Sequence, residues 1–180
     1  MKVAAAADAT ASPSADTNFV ESLCSAVRYP TLCVRSLTAH ASAIEQSPLQ
    51  LAQSPLAESL SGARSTRLLL VRSNKFKGPK VTDYRAIREC FQYMDDAVNL
   101  LTKSVKEIQS AAESKGKYYR WHVSNAKTWV DSAEQDSYTC CDGYMVGLQN
   151  GRLKTSTQSH VADAGQLTSN SLTLITNLSR

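Results

Sequence analysis

The sequence predicts an all-α fold: an up-down-up-down four-helix bundle preceded by a short helical hairpin and held by two disulfides. Three observations carry that expectation. Apolar residues recur at alternating steps of three and four over long stretches after residue 50. Only 7 Gly and 5 Pro occur, and four of the five prolines fall before residue 60, so little beyond that point interrupts a helix. Five cysteines are spaced to suit two bridges and one leftover thiol. No strand pattern of any length competes.

A chain of 180 residues supports one domain with a real core. Its 42% hydrophobic and 20% charged residues are ordinary for a globular protein. The net charge of +4 is mild, and Lys and Arg are scattered, which argues against a nucleic-acid footprint. A weak attraction to polyanions such as pectate is compatible with it. No apolar run approaches the ~20 residues needed to span a bilayer. Met1 to Thr17 is rich in Ala, Ser, Thr and Asp and reads as a flexible arm or leader remnant. Residues 18–180 then form the folded domain, with 18–45 as the hairpin and 48–180 as the bundle.

Asn18 to Cys24 reads as a short helix stopped near Tyr29-Pro30, and a second starts at Thr31-Leu32-Cys33. A Cys24–Cys33 bridge is the cheapest local pairing and would hold the two as a hairpin. Ser54-Pro55 looks like an N-cap followed by proline at the first helical position, with Glu58 in the first turn. The helix that follows carries Leu56, Leu60, Ala63 and Leu70 on one face and stops near Lys77-Gly78-Pro79.

The clearest helix comes next. Ile87, Phe91, Met94, Val98, Leu101, Val105 and Ile108 make a seam about three heptads long, closed by Lys115-Gly116-Lys117. Another seam follows in Val123, Ala126, Val130, Ala133, Ser137, Cys140 and Tyr144, with Asn150-Gly151 as its end. The last helix spans about Thr155 to Leu178, with Val161, Ala164, Leu167, Leu174, Ile175 and Leu178 on a broad apolar face. Trp129 stands one position before a seam residue, which suits a half-buried structural tryptophan.

Antiparallel neighbours bring the start of one helix beside the end of the next, so Cys90 and Cys140 reach the same level. Such a bridge closes a loop of about 50 residues, worth about 3–4 kcal/mol by loop entropy. Cys141 is rotated about 100° from the seam and reads as the free thiol. Adjacent cysteines leave a Cys90–Cys141 pairing open. Two disulfides imply an oxidising compartment. No Cys-x2-Cys pair or His cluster points to a metal, and His40, His122 and His160 stand alone.

Four ordered segments carry a resemblance. Cys24-Ser25-Ala26-Val27-Arg28-Tyr29-Pro30-Thr31-Leu32-Cys33 resembles the opening hairpin of the plant invertase and pectin methylesterase inhibitor family. Cys90 to Val98 is similar to the segment around that family's third cysteine. Thr128-Trp129-Val130 leading to Tyr138-Thr139-Cys140-Cys141-Asp142-Gly143-Tyr144 resembles its Thr-Trp and Thr-Cys-x-Asp-Gly-Phe motifs. Leu167-Thr168-Ser169-Asn170-Ser171-Leu172 resembles its Leu-Thr-Ser-Asn-Ala-Leu signature. The likeness covers about residues 18 to 178 and implies that Cys140 is the paired cysteine. It favours the pectin methylesterase branch, because the Pro-Lys-Phe segment of invertase inhibitors is absent.

The resemblance implies a secreted apoplastic protein, mostly monomeric, without cofactor, membrane or nucleic-acid partner. The resemblance further implies that it would plug the substrate groove of the esterase in a 1:1 complex. The contacts it implies are Arg88, Gln92, Asp95, Asp96 and Asn99 on one helix, with Thr139 and Asp142 near the end of the next. Asn99 and Gln92 depart from the charged residues usual there, and Tyr144 replaces a phenylalanine. Inhibition of acid invertase is the alternative reading. A non-inhibitory cell-wall or pro-region-like domain is the second, and the chain's end at Arg180 favours a free-standing inhibitor over it. An enzyme is disfavoured: no phosphate loop, nucleophile elbow or di-iron motif appears, which leaves only a Cys141 thiol with a distant His. Asn177-Leu178-Ser179 is a glycosylation sequon.

Overall fold

Proline 30 divides the first two helices, because the residue before a proline avoids the helical region and forces a turn. The helices are α1 (Ala15–Cys24) and α2 (Pro30–Leu37). The computed structural model describes residues 15–38, 48–73, 80–149 and 151–178. The expected arm therefore falls outside the described residues except for its last three, which open α1. A Cys24–Cys33 disulfide closes the hairpin, with Cα atoms 5.6 Å apart. Val20, Val27, Leu37 and both cysteines form its small core.

The bundle comprises α3 (Pro48–Ser73), α4 (Val81–Ala112), α5 (Gly116–Tyr138) and α6 (Gly151–Leu178). Between α5 and α6 lie a π-helical turn, Thr139–Tyr144, and a 3₁₀ turn, Met145–Gly147. Each helix packs on its sequence neighbour, and α3 closes the ring against α6. Pairing is antiparallel. Cys90 meets Cys140, Ser104 meets Ala126, and Glu107 meets His122, so numbers rise along α4 as they fall along α5. No strand occurs among the described residues.

Three boundaries differ from the sequence signals. Helix α3 starts at Pro48, and Pro55, expected as its first turn, lies inside it. Pro55 has no N–H for the Leu51 carbonyl, yet the helix runs on because Ala52, Leu56, Leu60, Ala63 and Leu70 are all buried. Packing outweighs one missing bond. Gly151, expected as a stop, is the first residue of α6, four residues before the Thr155 start. The α5 seam does not run to the expected end as one α-helix, because the π turn widens it at Thr139. The stop signals at Lys77-Gly78-Pro79 and Asn150 lie outside the described residues.

Along α4 two rows seven residues apart are fully interior. Ile87, Met94, Leu101 and Ile108 form one, and Cys90, Ala97, Ser104 and Ala111 form the other. The second row was hidden because its residues are small. Phe91 and Val105, expected in the seam, pack only partly buried on its flank. Small side chains let α5 approach closely, and Ser104 Oγ donates to the Ala126 carbonyl at 3.0 Å across the gap. A backbone with φ of +57° at Gly116 turns the chain into α5, a conformation glycine adopts without strain. Gly165 serves a different need: a Cβ there would lie 3.3 Å from Ser137 Cβ, where α5 and α6 cross.

Helix α6 also buries Thr157, Thr168, Ser169, Asn170 and Ser171. Asn170 clamps the hairpin: its Nδ2 donates to the Tyr29 carbonyl at 2.9 Å, and its Oδ1 accepts the Tyr29 N–H at 3.0 Å. Ser171 shares a 2.7 Å hydroxyl bond with Ser59 of α3, and Thr66 of α3 donates to the His160 carbonyl. Leu174 fills the hairpin core while Ile175 fills the bundle. One helix thus holds both cores.

Candidate partner-binding face

Arg88, Gln92, Asp95, Asp96 and Asn99 follow the i, i+4, i+7, i+8, i+11 progression, which sets them on the side of α4 opposite its interior rows. Arg88, Gln92, Asp96 and Asn99 are exposed and Asp95 is half-buried. A shallow groove runs here, lined by Glu89, Phe91, Gln92, Tyr93, Asp95 and Asp96. The disulfide from Cys90 to Cys140 fixes the π turn beside it. Tyr144 reaches back from that turn, its ring 5.7 Å from that of Tyr93.

The structure does not treat the seven expected residues alike. Asp95 Oδ1 accepts from Arg67 Nη1 of α3 at 2.6 Å, so its charge is already answered inside the chain. Arg88 lies 3.8 Å from Glu89, an exposed and weak contact. Thr139 donates its hydroxyl to the Gln135 carbonyl at 2.8 Å. Asp96 faces α5, where Asp136 feels it: burial first, and then the Asp96 charge, hold the Asp136 carboxyl above the usual carboxylate range. Asp136 was missed in the sequence. Its spacing of three from Thr139 was the available signal.

Asp142 is exposed and follows Cys141 directly, so its carboxylate charge acts on the thiol. Cys141 is free, but it does not face outward as its rotation from the seam suggested; it is buried. The π turn accommodates both cysteines at the interior, because an i→i+5 turn is wider than an α-helical one. Burial, and then the Asp142 carboxylate, raise the thiol pKa, which keeps it protonated and a poor nucleophile. The described histidines are engaged elsewhere: His122 with Glu107 at 2.7 Å, and His160 with the Ser156 carbonyl at 2.8 Å. Among the described residues no group of three or more metal-binding side chains converges. No helix is long and apolar enough to cross a membrane among them.

A second polar cluster joins the hairpin to α5. The Tyr29 and Tyr138 hydroxyls lie 3.1 Å apart, and the Arg28 guanidinium sits 5.5 Å and 6.0 Å from the two ring centres. Burial and the Tyr29 contact push the Tyr138 phenol up to about 12. Trp129 is half-buried under the Lys103 ammonium, 4.9 Å from its ring centre. Asn177 is exposed near the end of α6, and Ser179 of its sequon lies outside the described residues.

Fold and face together define a disulfide-braced helical bundle with a polar groove on one flank. The chain belongs to the plant invertase/pectin methylesterase inhibitor family, whose model matches residues 18–174. Among similar proteins, "Pectinesterase inhibitor 11" of Arabidopsis thaliana is 37% identical over 88% of this chain and 79% of its own length. The "21 kDa protein" of Daucus carota is 33% identical over 94% of this chain and 88% of its own. A crystal structure of a mutant form of an Arabidopsis pectin methylesterase inhibitor superposes with a TM-score of 0.70. It covers 91% of this chain and 97% of that one, and at 17% identity the likeness speaks for the fold alone.

Proposed function

We propose that this chain is a protein inhibitor of a plant pectin methylesterase, acting in a 1:1 complex that covers the enzyme's substrate cleft. The observation that carries the reading is the likeness over nearly the whole domain to a relative named as a pectinesterase inhibitor. The geometry supports it. A bundle cross-linked between α4 and the π turn is preorganised, so little freedom is lost when a partner docks. An enzyme that handles a polyanion carries cationic groups in its cleft, and the carboxylates along α4 and α5 complement them. Inhibition is then steric exclusion, with no bond made or broken by the inhibitor.

Gln92, Asp96, Asn99 and Asp142 are the contacts we place first, with Asp136 added. Arg88 and Thr139 flank them, and Asp95 acts through its pairing with Arg67. Two disulfides suit secretion into the cell wall, where oxidised cysteines persist.

Titration of a purified plant pectin methylesterase and an acid invertase, side by side, tests the proposal. The expected result is loss of esterase activity at one equivalent and a single 1:1 peak on a sizing column. Asp96→Ala with Asp142→Ala should weaken inhibition about tenfold, a loss typical of a few interface contacts, with the melting temperature nearly unchanged. Unchanged inhibition removes this face from the interface. Inhibition of the invertase alone transfers the chain to the other branch. Protonation strips the carboxylates of their charge, so affinity should fall at acid pH, and Asp136 with its raised pKa should discharge early.

A further inference from the structure

Two stretches of the chain are basic, residues 64–88 and residues 103–129. Residues 103–129 hold six cations, Lys103, Lys106, Lys115, Lys117, Arg120 and Lys127, and only two acids, Glu107 and Glu113. That stretch is net +4. Residues 64–88 hold eight cations against one acid, Asp83, but no exposed aromatic ring among the described residues. Glu107 is further answered by His122 at 2.7 Å.

Exposed aromatic surface coincides with this charge. Tyr118 is 61% exposed and Trp121 56%, unusual values for large rings. They are three apart on α5 and share a face. Lys117, Arg120 and Lys127 follow steps of three and seven on the adjoining stripe, and all three are exposed. Lys117 Nζ lies 5.2 Å from the Tyr118 ring centre. The tip of the α4–α5 hairpin is therefore a ledge of flat rings edged by cations. Asn99, the last proposed esterase contact on α4, lies 13 residues before the helix end at Ala112, about 20 Å at 1.5 Å per residue, so the ledge at the hairpin tip stands apart from it.

We propose that this ledge binds an acidic polysaccharide of the polyuronate type. A pyranose ring offers a face of C–H groups that packs on an aromatic ring, and a uronate adds one carboxylate per sugar for Lys or Arg. Neither neutral glycans nor simple anions use both halves of the ledge. Single-stranded nucleic acid would match rings and cations too, but two disulfides place the chain in an oxidising compartment away from it. The proposal rests on the cell-wall reading above for the source of the polymer. De-esterified pectin is the esterase's product, so the ledge would hold the inhibitor where its target has been working.

Electrophoresis of the whole protein through gels containing sodium polygalacturonate tests this without any esterase, so its outcome is independent of the inhibition assay. Polygalacturonate should retard the protein, and highly methyl-esterified pectin should not. Lys117→Glu with Arg120→Glu should weaken retardation at least about tenfold, since each lost cation removes a counterion-releasing contact. Tyr118→Ala with Trp121→Ala should weaken it about fivefold. All four positions are surface sites, and unchanged melting confirms that folding is intact. Any of three results overturns the proposal: no retardation, retardation unaffected by the aromatic pair, or equal retardation by a single-stranded DNA oligonucleotide.

Discussion

Helices α4 and α6 occupy the same bundle and bury similar stripes, yet by different chemistry. Helix α4 buries Ile87, Met94, Leu101 and Ile108 beside a row of small residues, and a disulfide fastens it to the π turn. Helix α6 buries Thr157, Thr168, Ser169, Asn170 and Ser171, and fastens itself by hydrogen bonds to the hairpin and to α3. The difference follows from their neighbours. An apolar seam excludes water but tolerates many small adjustments, whereas paired polar groups fix register, because any slip leaves them unsatisfied. So α4 supplies strength and α6 supplies the placement of the hairpin.

That contrast can be broken most severely at the disulfide. Cys90→Ala with Cys140→Ala opens a link across 50 residues and should cost about 3–4 kcal/mol in denaturant unfolding. Leu101→Ala removes a fully interior side chain and should cost about 3 kcal/mol, with the hairpin no less protected than the bundle. Asn170→Ala should cost less globally, about 2 kcal/mol, because it strands the Tyr29 N–H and carbonyl. Its signature is selective: hydrogen exchange should quicken in α1 and α2 well before α4. Equal quickening in α4 would mean that α6 does not place the hairpin independently.

The smallest effect sharpens the same comparison through pH. Tyr138 keeps its proton more tightly when folded, with a pKa raised to about 12 from an ordinary 10. The stabilisation is complete below pH 10 and is lost as pH rises toward 12. Tyr138→Phe should therefore flatten part of the alkaline fall in melting temperature while leaving its neutral-pH behaviour otherwise similar.

The α4 seam was plain in the sequence because large apolar residues at steps of three and four need no partner to be recognised. Its second row was not, since Cys90, Ala97, Ser104 and Ala111 carry little hydrophobic signal. The polar stripe of α6 was visible only as a family-like string, Leu167 to Leu172, and its bonds to Tyr29 and Ser59 were invisible. Of the proposed face, Arg88, Gln92, Asp96 and Asn99 could be grouped on one side of a helix. Asp136 beside Asp96, and Arg67 holding Asp95, join different helices and could not.

By itself the sequence determined helix content, antiparallel order and the level at which Cys90 meets its partner, because periodicity and spacing are local properties of a chain. Only the tertiary structure decided that Pro55 lies inside a helix, that a π turn draws Cys141 inward, and that Asn170 grips Tyr29. Those outcomes depend on contacts between residues far apart in sequence, where burial and paired hydrogen bonds outweigh local preference.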